Sequence, residues 1–383
     1  MIEKALAGSR RYWLWVAALL VLIAIGAGFY LRQLTYGLGV TGLTRDVTWG
    51  LYIAQFTFFV GVAASAVMVV LPYYLHDYKQ FGKITILGEL LAVAAVTMCM
   101  LFIFVDMGQP ARVLNVMLHP TPHSIMFWDM VSLSGYLFLN ALISFITLSS
   151  ERKGVPAPHW IKPFIYLSIP WAVSIHTVTA FLYSGLAARP FWMTAVMAPR
   201  FLASAFASGP ALLILLILVL RRTTGYDPGD APIAKLTTIV TYAASISVFF
   251  VLMELFTAFY SGIPEHREHF EYLYVGLEGH SGLAPWMWMS TFLMIVALAI
   301  LYSPQLRAKR PVLAASCVCV FLSLWIEKGM GLIIAGLIPS ALGTVTNYQP
   351  TMPEWGIVVG IWSIGTLMVT VFYKIAVAVR SIS

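Results

Sequence analysis

The sequence predicts an all-α integral membrane protein that forms a single polytopic membrane domain over residues 1–383. Hydrophobic residues make up 60% of the chain and charged residues only 10%. The mean hydropathy is therefore +0.86, which excludes an ordinary soluble domain. Apolar runs of about 20 residues, each long enough to cross the hydrocarbon core as a helix, recur about ten times. The loops between these runs alternate between rich and poor in lysine and arginine.

The ten predicted spans follow one another without a soluble domain, long linker or low-complexity run between them. They cover residues 12–31, 49–75, 84–105, 125–148, 164–187, 201–220, 236–260, 286–302, 312–326 and 355–379. Tryptophan and tyrosine lie near many of the span ends, which is typical of side chains at the membrane interface. The eighth and ninth spans are the shortest.

The distribution of basic residues predicts that both termini are cytoplasmic. With the N-terminus inside, the inside segments hold 16 of the 23 lysines and arginines and the outside segments hold seven. The outside seven are Arg32, Arg45, Arg112, Arg189, Arg200, Arg267 and Lys328. This bias follows the positive-inside rule and predicts a multi-pass protein of the inner (cytoplasmic) membrane. The net charge of +7 reflects this topology, so we predict no nucleic-acid binding from it.

The cysteines and histidines argue against a metal or haem group bound by this chain. Cys99, Cys317 and Cys319 all lie inside predicted spans, and no CxxC spacing occurs, so neither an iron–sulfur cluster nor a zinc site is predicted. Of the eight histidines, only His176 lies in the middle of a span. A transmembrane haem b held by two facing histidines is therefore not predicted.

Ionisable side chains at membrane depth carry the functional signal, because each is costly there unless it is paired or hydrated. The deepest are His176 in the fifth span and Glu254 in the seventh. Three carboxylates lie nearer the predicted outer face: Asp106, Asp129 and Glu327. Glu89 is the exception, one turn into the third span from the cytoplasmic side.

A purely structural interpretation of the shallower groups stays open. Asp106 is compatible with an ordinary helix end held by Arg112. Asp129 is compatible with a carboxylate at the positive end of a helix dipole. Glu327 is followed by Lys328 and is compatible with an interfacial position.

Several short blocks occur in a fixed order along the chain, the most specific being an Asp-x-Gly-x-Pro-x-Arg turn from Asp106 to Arg112. The others cover residues 49–52, 118–123, 127–130, 135–140, 174–176, 183–186, 189–192 and 198–205. Together they resemble the NrfD/polysulfide reductase (PsrC-like) family of integral membrane subunits, from Asp46 to about Trp288. Within it the chain is most similar to DsrP, the ten-helix subunit of the sulfite-reductase-associated DsrMKJOP complex. One departure is Gln109, where many members have a basic residue.

The resemblance implies two four-helix bundles with flanking helices, formed by spans two to five and six to nine. It implies a bound menaquinone or other quinone, no haem or iron–sulfur cluster in this chain, and a role in sulfur metabolism and anaerobic respiration. The implied partners are an extracytoplasmic, ferredoxin-like iron–sulfur subunit that exchanges electrons with the quinone, and cytochrome c and cytochrome b subunits of the same complex. In the family the quinone pocket lies towards the outer face.

The buried groups and the resemblance together give two sets of candidate residues. We predict that His176 hydrogen-bonds a quinone oxygen, that Asp129 or Asp106 takes a proton onward, and that aromatic rings flank the quinone. The predicted quinone-binding set is His176, Asp129, Arg189, Tyr136, Tyr183 and Trp128. The predicted proton-transfer set is Asp106, Glu254, Glu327, Glu89 and Arg112.

Two other functions are compatible with the sequence. A proton-coupled secondary transporter would also have ten spans, buried ionisable groups and proline-interrupted helices at Pro170 and Pro210. A purely structural membrane anchor for redox subunits would use its buried charges only to pair one another. In the outer loop at 262–285, we expect a helix around 265–278 in which His266 and His269 are surface residues rather than metal ligands.

Overall fold

The computed structural model describes residue 3 and residues 6–380, and the described part of the chain is helical without named strands. Its main helices are α1 (Arg10–Tyr36), α2 (Leu51–Leu75), α3 (Thr85–Asp106), α4 (Ile125–Lys153), α5 (Lys162–Ser184), α6 (Met197–Thr224), α7 (Asp230–Ser261), α8 (Pro264–Tyr274), α9 (Ala284–Tyr302), α10 (Arg310–Ala335) and α11 (Met352–Arg380). Short helical turns connect them at Leu38–Val40, Lys79–Lys83, Pro110–Arg112, Asn115–Leu118, His159–Ile161 and Pro304–Arg307. In the described residues, ten helices are long and apolar enough to cross a membrane, all of these except α8. The predicted all-α membrane class is confirmed.

The ten long helices run alternately up and down, so the bundle has two ends. We call the end that holds the start of α1 and the end of α11 the terminal end. Here Arg380 makes hydrogen bonds of 3.0 and 2.8 Å to the Glu151 carboxylate, and Tyr226 donates to the carbonyl of Lys83. The opposite end, the distal end, consists of the loops at 37–50, 107–124, 185–196 and 336–351 and the segment 262–283, which includes α8.

Two four-helix bundles form the interior. The first bundle contains α2, α3, α4 and α5, and the second contains α6, α7, α9 and α10. The helices α1 and α11 pack against each other and flank the first bundle through α3. A Cβ atom on Gly26 of α1 would lie 2.7 Å from the Cα of Gly360 in α11, so the absence of side chains allows the two backbones to approach closely, as in other small-residue contacts between membrane helices.

The helix α2 lies between the two bundles. Every residue in its most apolar stretch is buried in the protein, whereas α1 is mostly exposed on its outer face. A Cβ atom on Gly209 of α6 would lie 2.8 Å from the backbone nitrogen of Ser65 in α2. The resulting close contact packs α2 of the first bundle against α6 of the second, and α5 and α6 also contact each other directly.

The ninth predicted span was too short, and two basic residues were assigned to the wrong environment. The span does not end at residue 326. It continues through a π-helical segment, Trp325–Gly331, to Ala335, so Glu327 and Lys328 lie inside a helix. Arg200 lies in the first turn of α6 and is buried, not in an outer loop. Arg200 pairs with Glu254 and Glu327 inside the protein, and sequence hydropathy does not register such buried charges.

Candidate functional site

One face of α5 carries three polar side chains into the interior of the first bundle. His176, Thr179 and Tyr183 are spaced three and four residues apart, so they lie on the same side of the helix. All three are completely buried. Burying polar side chains inside a membrane bundle costs more free energy than burying apolar ones, so we regard this face as a candidate site. We call it the α5 polar face.

The His176 ring has one nitrogen that is bonded and one that is free. Nδ1 lies 2.6 Å from the carbonyl oxygen of Ala172 in the preceding turn. Because a carbonyl only accepts, Nδ1 carries the hydrogen, and Nε2 of the neutral ring is an acceptor. Nε2 is buried without a hydrogen-bond partner among the described residues. A buried, unpaired ring nitrogen at this depth is the feature expected of a group that meets a ligand.

The other two side chains of the α5 polar face join α5 to its neighbours. The hydroxyl of Thr179 donates to Oδ1 of Asp129 in α4 over 2.6 Å, and Asp129 is itself buried. The hydroxyl of Tyr183 is hydrogen-bonded to that of Thr57 in α2 over 2.5 Å. The face therefore connects α4, α5 and α2 through polar contacts.

A cleft of about 440 Å³ opens at the distal end beside Tyr183. Its walls include Trp49, Trp192 and Arg189. The ring centroids of Tyr183, Trp49 and Trp192 lie 5.3 to 5.8 Å apart, so these aromatic rings join the cleft to the buried face. The guanidinium of Arg189 donates to the carbonyl of Leu337 over 3.2 Å, which fixes a cation at the rim.

Two other members of the predicted quinone-binding set lie apart from the cleft. Tyr136 is buried in α4, with its hydroxyl 3.4 Å from the carbonyl of Ala63. Trp128 is half exposed, and its indole donates to the carbonyl of Pro122 in the distal loop. The structure therefore brings His176, Asp129 and Tyr183 together, with Arg189 nearby, but not Trp128.

A second polar cluster, in the second bundle, includes two residues that the sequence did not single out. Arg200 of α6 forms salt bridges with Glu254 of α7 and with Glu327 of α10. All three side chains are about nine-tenths buried. Lys328, the next residue in the π-helical segment, is 3% exposed. We call Arg200, Glu254, Glu327 and Lys328 the second-bundle cluster. In the sequence, the adjacent charges of Glu327 and Lys328 indicate this cluster only when α10 is known to continue to Ala335.

The remaining proton-transfer candidates are scattered. Oδ1 of Asp106, at the distal end of α3, is buried without a hydrogen bond in the described structure. Arg112 is exposed, and no described salt bridge joins it to Asp106. Glu89 is buried near the terminal end of α3, with Ser144 donating to its carboxylate at 3.5 Å. These three do not form one site with His176.

The expected helix in the loop between α7 and α9 is present as α8, but one expectation about it was wrong. His269 is buried rather than on the surface, and its Nδ1 contacts the carbonyls of Ala335 and Ile338 at 2.6 and 3.0 Å. Burial lowers the pKa of this histidine, so the ring is neutral near pH 7. It ties α8 to the end of α10.

A smaller cavity of about 210 Å³ lies elsewhere at the distal end, between α8, α9, α10 and the start of α11. Tyr272, Trp286, Trp325, Tyr348 and Trp355 are among its lining residues. No residue of either predicted set lines it. The cleft beside Tyr183 is joined to the α5 polar face through its lining residues Trp49 and Trp192, whose rings pack against Tyr183.

Comparisons with known proteins agree with this architecture. A family model described as "Polysulphide reductase, NrfD" matches residues 39–339. A putative membrane subunit of dimethyl sulfoxide reductase from Halobacterium salinarum is 28% identical over 94% of this chain and 89% of its own length. The Hdr-like menaquinol oxidoreductase integral membrane subunit of Archaeoglobus fulgidus is 24% identical over 75% of this chain and 69% of its own length. The menaquinone reductase integral membrane subunit of Nitratidesulfovibrio vulgaris is 21% identical over 95% and 91%.

Proposed function

This chain belongs to the NrfD polysulphide reductase family, and we propose that it is the quinone-interacting membrane subunit of a respiratory redox complex. In this proposal the quinone exchanges electrons with an extracytoplasmic iron–sulfur subunit that binds the distal end. The single observation that carries the proposal is the unpaired Nε2 of His176 on a polar face that continues to an aromatic cleft.

The residues of this region fit a quinone. A quinone has a flat ring and an oxygen at each end, so it needs apolar walls and a few placed polar groups. Trp49 and Trp192 supply aromatic walls at the cleft. His176 supplies an unpaired nitrogen at the buried end of the α5 polar face, about 10 Å deeper than Tyr183 by helix rise. The cleft volume of about 440 Å³ is in the range of small-molecule sites.

When bound, a quinol supplies two electrons and two protons on oxidation, so its site needs proton acceptors. The neutral His176 ring accepts a hydrogen bond at Nε2, because Nδ1 is committed to Ala172. This arrangement favours a hydroxyl over a carbonyl as its partner. Asp129 of α4, held by Thr179 of the α5 polar face, is the next acceptor. Tyr183 and Thr57 hold α5 against α2, which keeps His176 in place, while Arg189 provides a cation at the rim of the cleft.

Protons then leave towards the distal end. Asp106 lies at that end of α3 with an unpaired oxygen, and exposed Arg112 follows in the same loop. We assign the second-bundle carboxylates Glu254 and Glu327 to a separate proton-binding group, and Glu89 to a group near the terminal end. The proposed orientation has the distal end outside and both termini in the cytoplasm of a cell with this protein in its inner membrane, which the bias of basic residues supports.

The proposed quinone is menaquinone. Two of the relatives are named as a menaquinol oxidoreductase subunit and a menaquinone reductase subunit, and this supports the choice. Relatives are also named as membrane subunits of reductases, which supports assembly with further redox subunits. We assign the electron-exchanging partner to the ferredoxin-like iron–sulfur class, with cytochrome c and cytochrome b subunits in the same complex, and the pathway to sulfur-compound respiration.

The proposal is tested by solvent extraction of the complex purified in mild detergent, followed by quinone analysis and a quinol-dependent electron-transfer assay. We expect bound quinone in the wild type and its loss in His176→Ala. A transporter or a structural anchor would contain no stoichiometric quinone, and neither His176→Ala nor Asp129→Asn would alter electron transfer. That pair of results would overturn the proposal.

A further inference from the structure

Lys328 is a buried cation whose hydrogen-bonding capacity is mostly unused. Its ammonium group is 3.4 Å from the carbonyl oxygen of Phe201 and 4.3 Å from the centroid of the Phe201 ring. An ammonium has three donors, and its charge is expensive at membrane depth. One long hydrogen bond and one cation–π contact are modest compensation. A buried lysine with so little compensation for its charge indicates that the charge has a functional role inside the protein.

The Lys328 side chain reaches α2 at Gly61, which has no side chain to occupy that space. A Cβ atom on Gly61 would lie 3.1 Å from Nζ of Lys328 and 3.3 Å from Oγ of Ser208 in α6. Both distances are tighter than ordinary contacts. The missing side chain at Gly61 therefore makes room for the ammonium group of a residue that belongs to the second bundle.

The same turn of α2 faces His176 from the first bundle. Thr57, about one turn from Gly61 in α2, is hydrogen-bonded to Tyr183 of α5, and His176 lies about two turns deeper than Tyr183 on α5, so His176 and Gly61 lie at similar depths in the bundle. His176 and Lys328 thus approach one backbone turn from the two bundles. Gly61 is therefore a position in α2 at which the Lys328 charge of the second bundle comes close to the first bundle.

Lys328 is also attached to the remaining charges of the second-bundle cluster. It follows Glu327 in the π-helical segment, and Glu327 shares Arg200 with Glu254. Oε1 of Glu254 is buried and unpaired within the described structure. Short π-helical segments inside α-helices are frequent at functional sites, and this one places two consecutive charged residues in the interior.

We propose that Lys328, seated beside Gly61, is a positioning residue that couples the second-bundle cluster to the quinone site at His176. The proposal rests on the proposed function. The positive charge of Lys328 stabilises negative charge that develops on the quinone at the His176 site, on the other side of α2. It does so because a charge in the low-dielectric interior acts over longer distances than in water. Lys328 touches neither the cleft nor a ligand directly, and it acts through His176.

A double-mutant cycle tests this coupling in the intact complex. Lys328→Met and His176→Gln are made singly and together, and kcat and KM for menaquinol-dependent electron transfer are measured for each. We expect the loss in the double variant to differ from the product of the two single losses by about tenfold, as for residues that interact. A matched cycle pairs His176→Gln with Lys235→Met, an exposed lysine of α7, and we expect that cycle to be multiplicative. Multiplicative losses in the Lys328 cycle would overturn the coupling.

Gly61→Ala provides a second test that leaves every charged residue in place. The added methyl group pushes the ammonium away by a few tenths of an ångström, so we expect a smaller kcat loss than in Lys328→Met, and little further loss when Gly61→Ala is added to that variant. Gly28→Ala in α1, where nothing lies within 4 Å, is the control. If Gly61→Ala retains wild-type kcat, the seating of Lys328 beside Gly61 has no role and the proposal fails.

The failure of this inference is distinguishable from failure of the proposed function. A wild-type complex without bound quinone and without quinol oxidation overturns both. An active, quinone-containing wild type with a multiplicative Lys328 cycle overturns only the coupling. Lys328→Arg keeps the positive charge but carries it on a larger guanidinium group. If Lys328→Arg has a higher kcat than Lys328→Met, the loss in Lys328→Met is due to the missing charge rather than to altered packing. Thermal unfolding is recorded for each variant.

Discussion

Thr179 of α5 donates a 2.6 Å hydrogen bond to Oδ1 of Asp129 in α4, and both side chains are buried in the first bundle. The bond joins the predicted proton acceptor to the helix that carries His176. A carboxylate at this depth without that partner would be left with its desolvation uncompensated. The pair therefore links the stability of the bundle to the chemistry proposed for it.

The first prediction concerns this pair. Asp129→Asn removes a proton acceptor but keeps the shape of the side chain, so we expect kcat for quinol oxidation to fall by about 100-fold, as for loss of an acid–base group. Thr179→Val keeps Asp129 but removes the hydrogen bond that holds its carboxylate, so we expect kcat to fall less than in Asp129→Asn. Thr177→Val is the control, because that hydroxyl donates to the carbonyl of Val173 in its own helix. Equal activity of Asp129→Asn and wild type would remove Asp129 from the proton path.

A second prediction concerns stability. Arg200→Met leaves Glu254 and Glu327 buried without their shared cation, which for a buried pair costs about 3–5 kcal/mol. We expect a large drop in the thermal unfolding midpoint in detergent, and partial recovery when Glu254→Gln and Glu327→Gln are added.

The control for Arg200 is another arginine with two acidic partners. Arg221 contacts Asp227 and Asp230 at the terminal end, and both aspartates are more than half exposed. The Arg221 side chain is as buried as that of Arg200, but the two aspartates that Arg221→Met would leave behind stay solvated, and pairs with exposed partners contribute about 0–1 kcal/mol. Arg221→Met should therefore lower the midpoint less than Arg200→Met. Similar losses for the two arginine variants would mean that the second-bundle cluster is not held in a desolvated interior.

A third prediction concerns the cleft. Ala188 lines it, and Ala188→Trp fills part of the volume next to Trp49 and Trp192. We expect KM for quinol to rise by about tenfold, the effect of about 1.4 kcal/mol of lost binding, with a smaller change in kcat. Ala308→Trp, at an exposed position of the terminal end, should leave both constants unchanged. An unchanged KM in Ala188→Trp would show that quinol reaches its site by another route.

A fourth prediction concerns pH. Burial lowers the pKa of His269 in the folded protein relative to an unfolded value of about 6.5. The unfolded chain then binds the proton more readily, so the stability contribution is present above about pH 6.5 and is lost as pH falls towards the folded pKa. We expect the unfolding midpoint to decrease between pH 8 and pH 5, and this decrease to be smaller in His269→Gln. His119→Gln, an exposed histidine, should retain the full pH dependence.

The sequence was sufficient for the membrane class and the ten spans, because hydropathy acts locally along the chain. His176 and Asp129 could be identified as ionisable residues at membrane depth, and Tyr183 as an aromatic residue of a block that resembles the family. Their contact partners could not, since Thr57 is 126 residues from Tyr183 and nothing local links them.

The second-bundle cluster could not be predicted from the sequence, because its residues come from three different helices. Lys328 and Arg200 look like loop residues because a charge lowers the apparent hydropathy of the span that contains it. Only the fold reveals that Arg200 faces two carboxylates from other helices and that Gly61 leaves space for Lys328. Trp128 is next to Asp129 in sequence but lies on another side of the helix, half exposed and hydrogen-bonded to the carbonyl of Pro122.

The position of the quinone ring tests the central claim most directly. Electron cryomicroscopy of the intact complex with bound menaquinol is the measurement. We predict ring density between the cleft lined by Trp49 and Trp192 and the buried end of the α5 polar face, with a ring oxygen within hydrogen-bonding distance of Nε2 of His176. Ring density in the cavity lined by Trp325 and Tyr348, with His176 Nε2 still unpaired, would contradict the account.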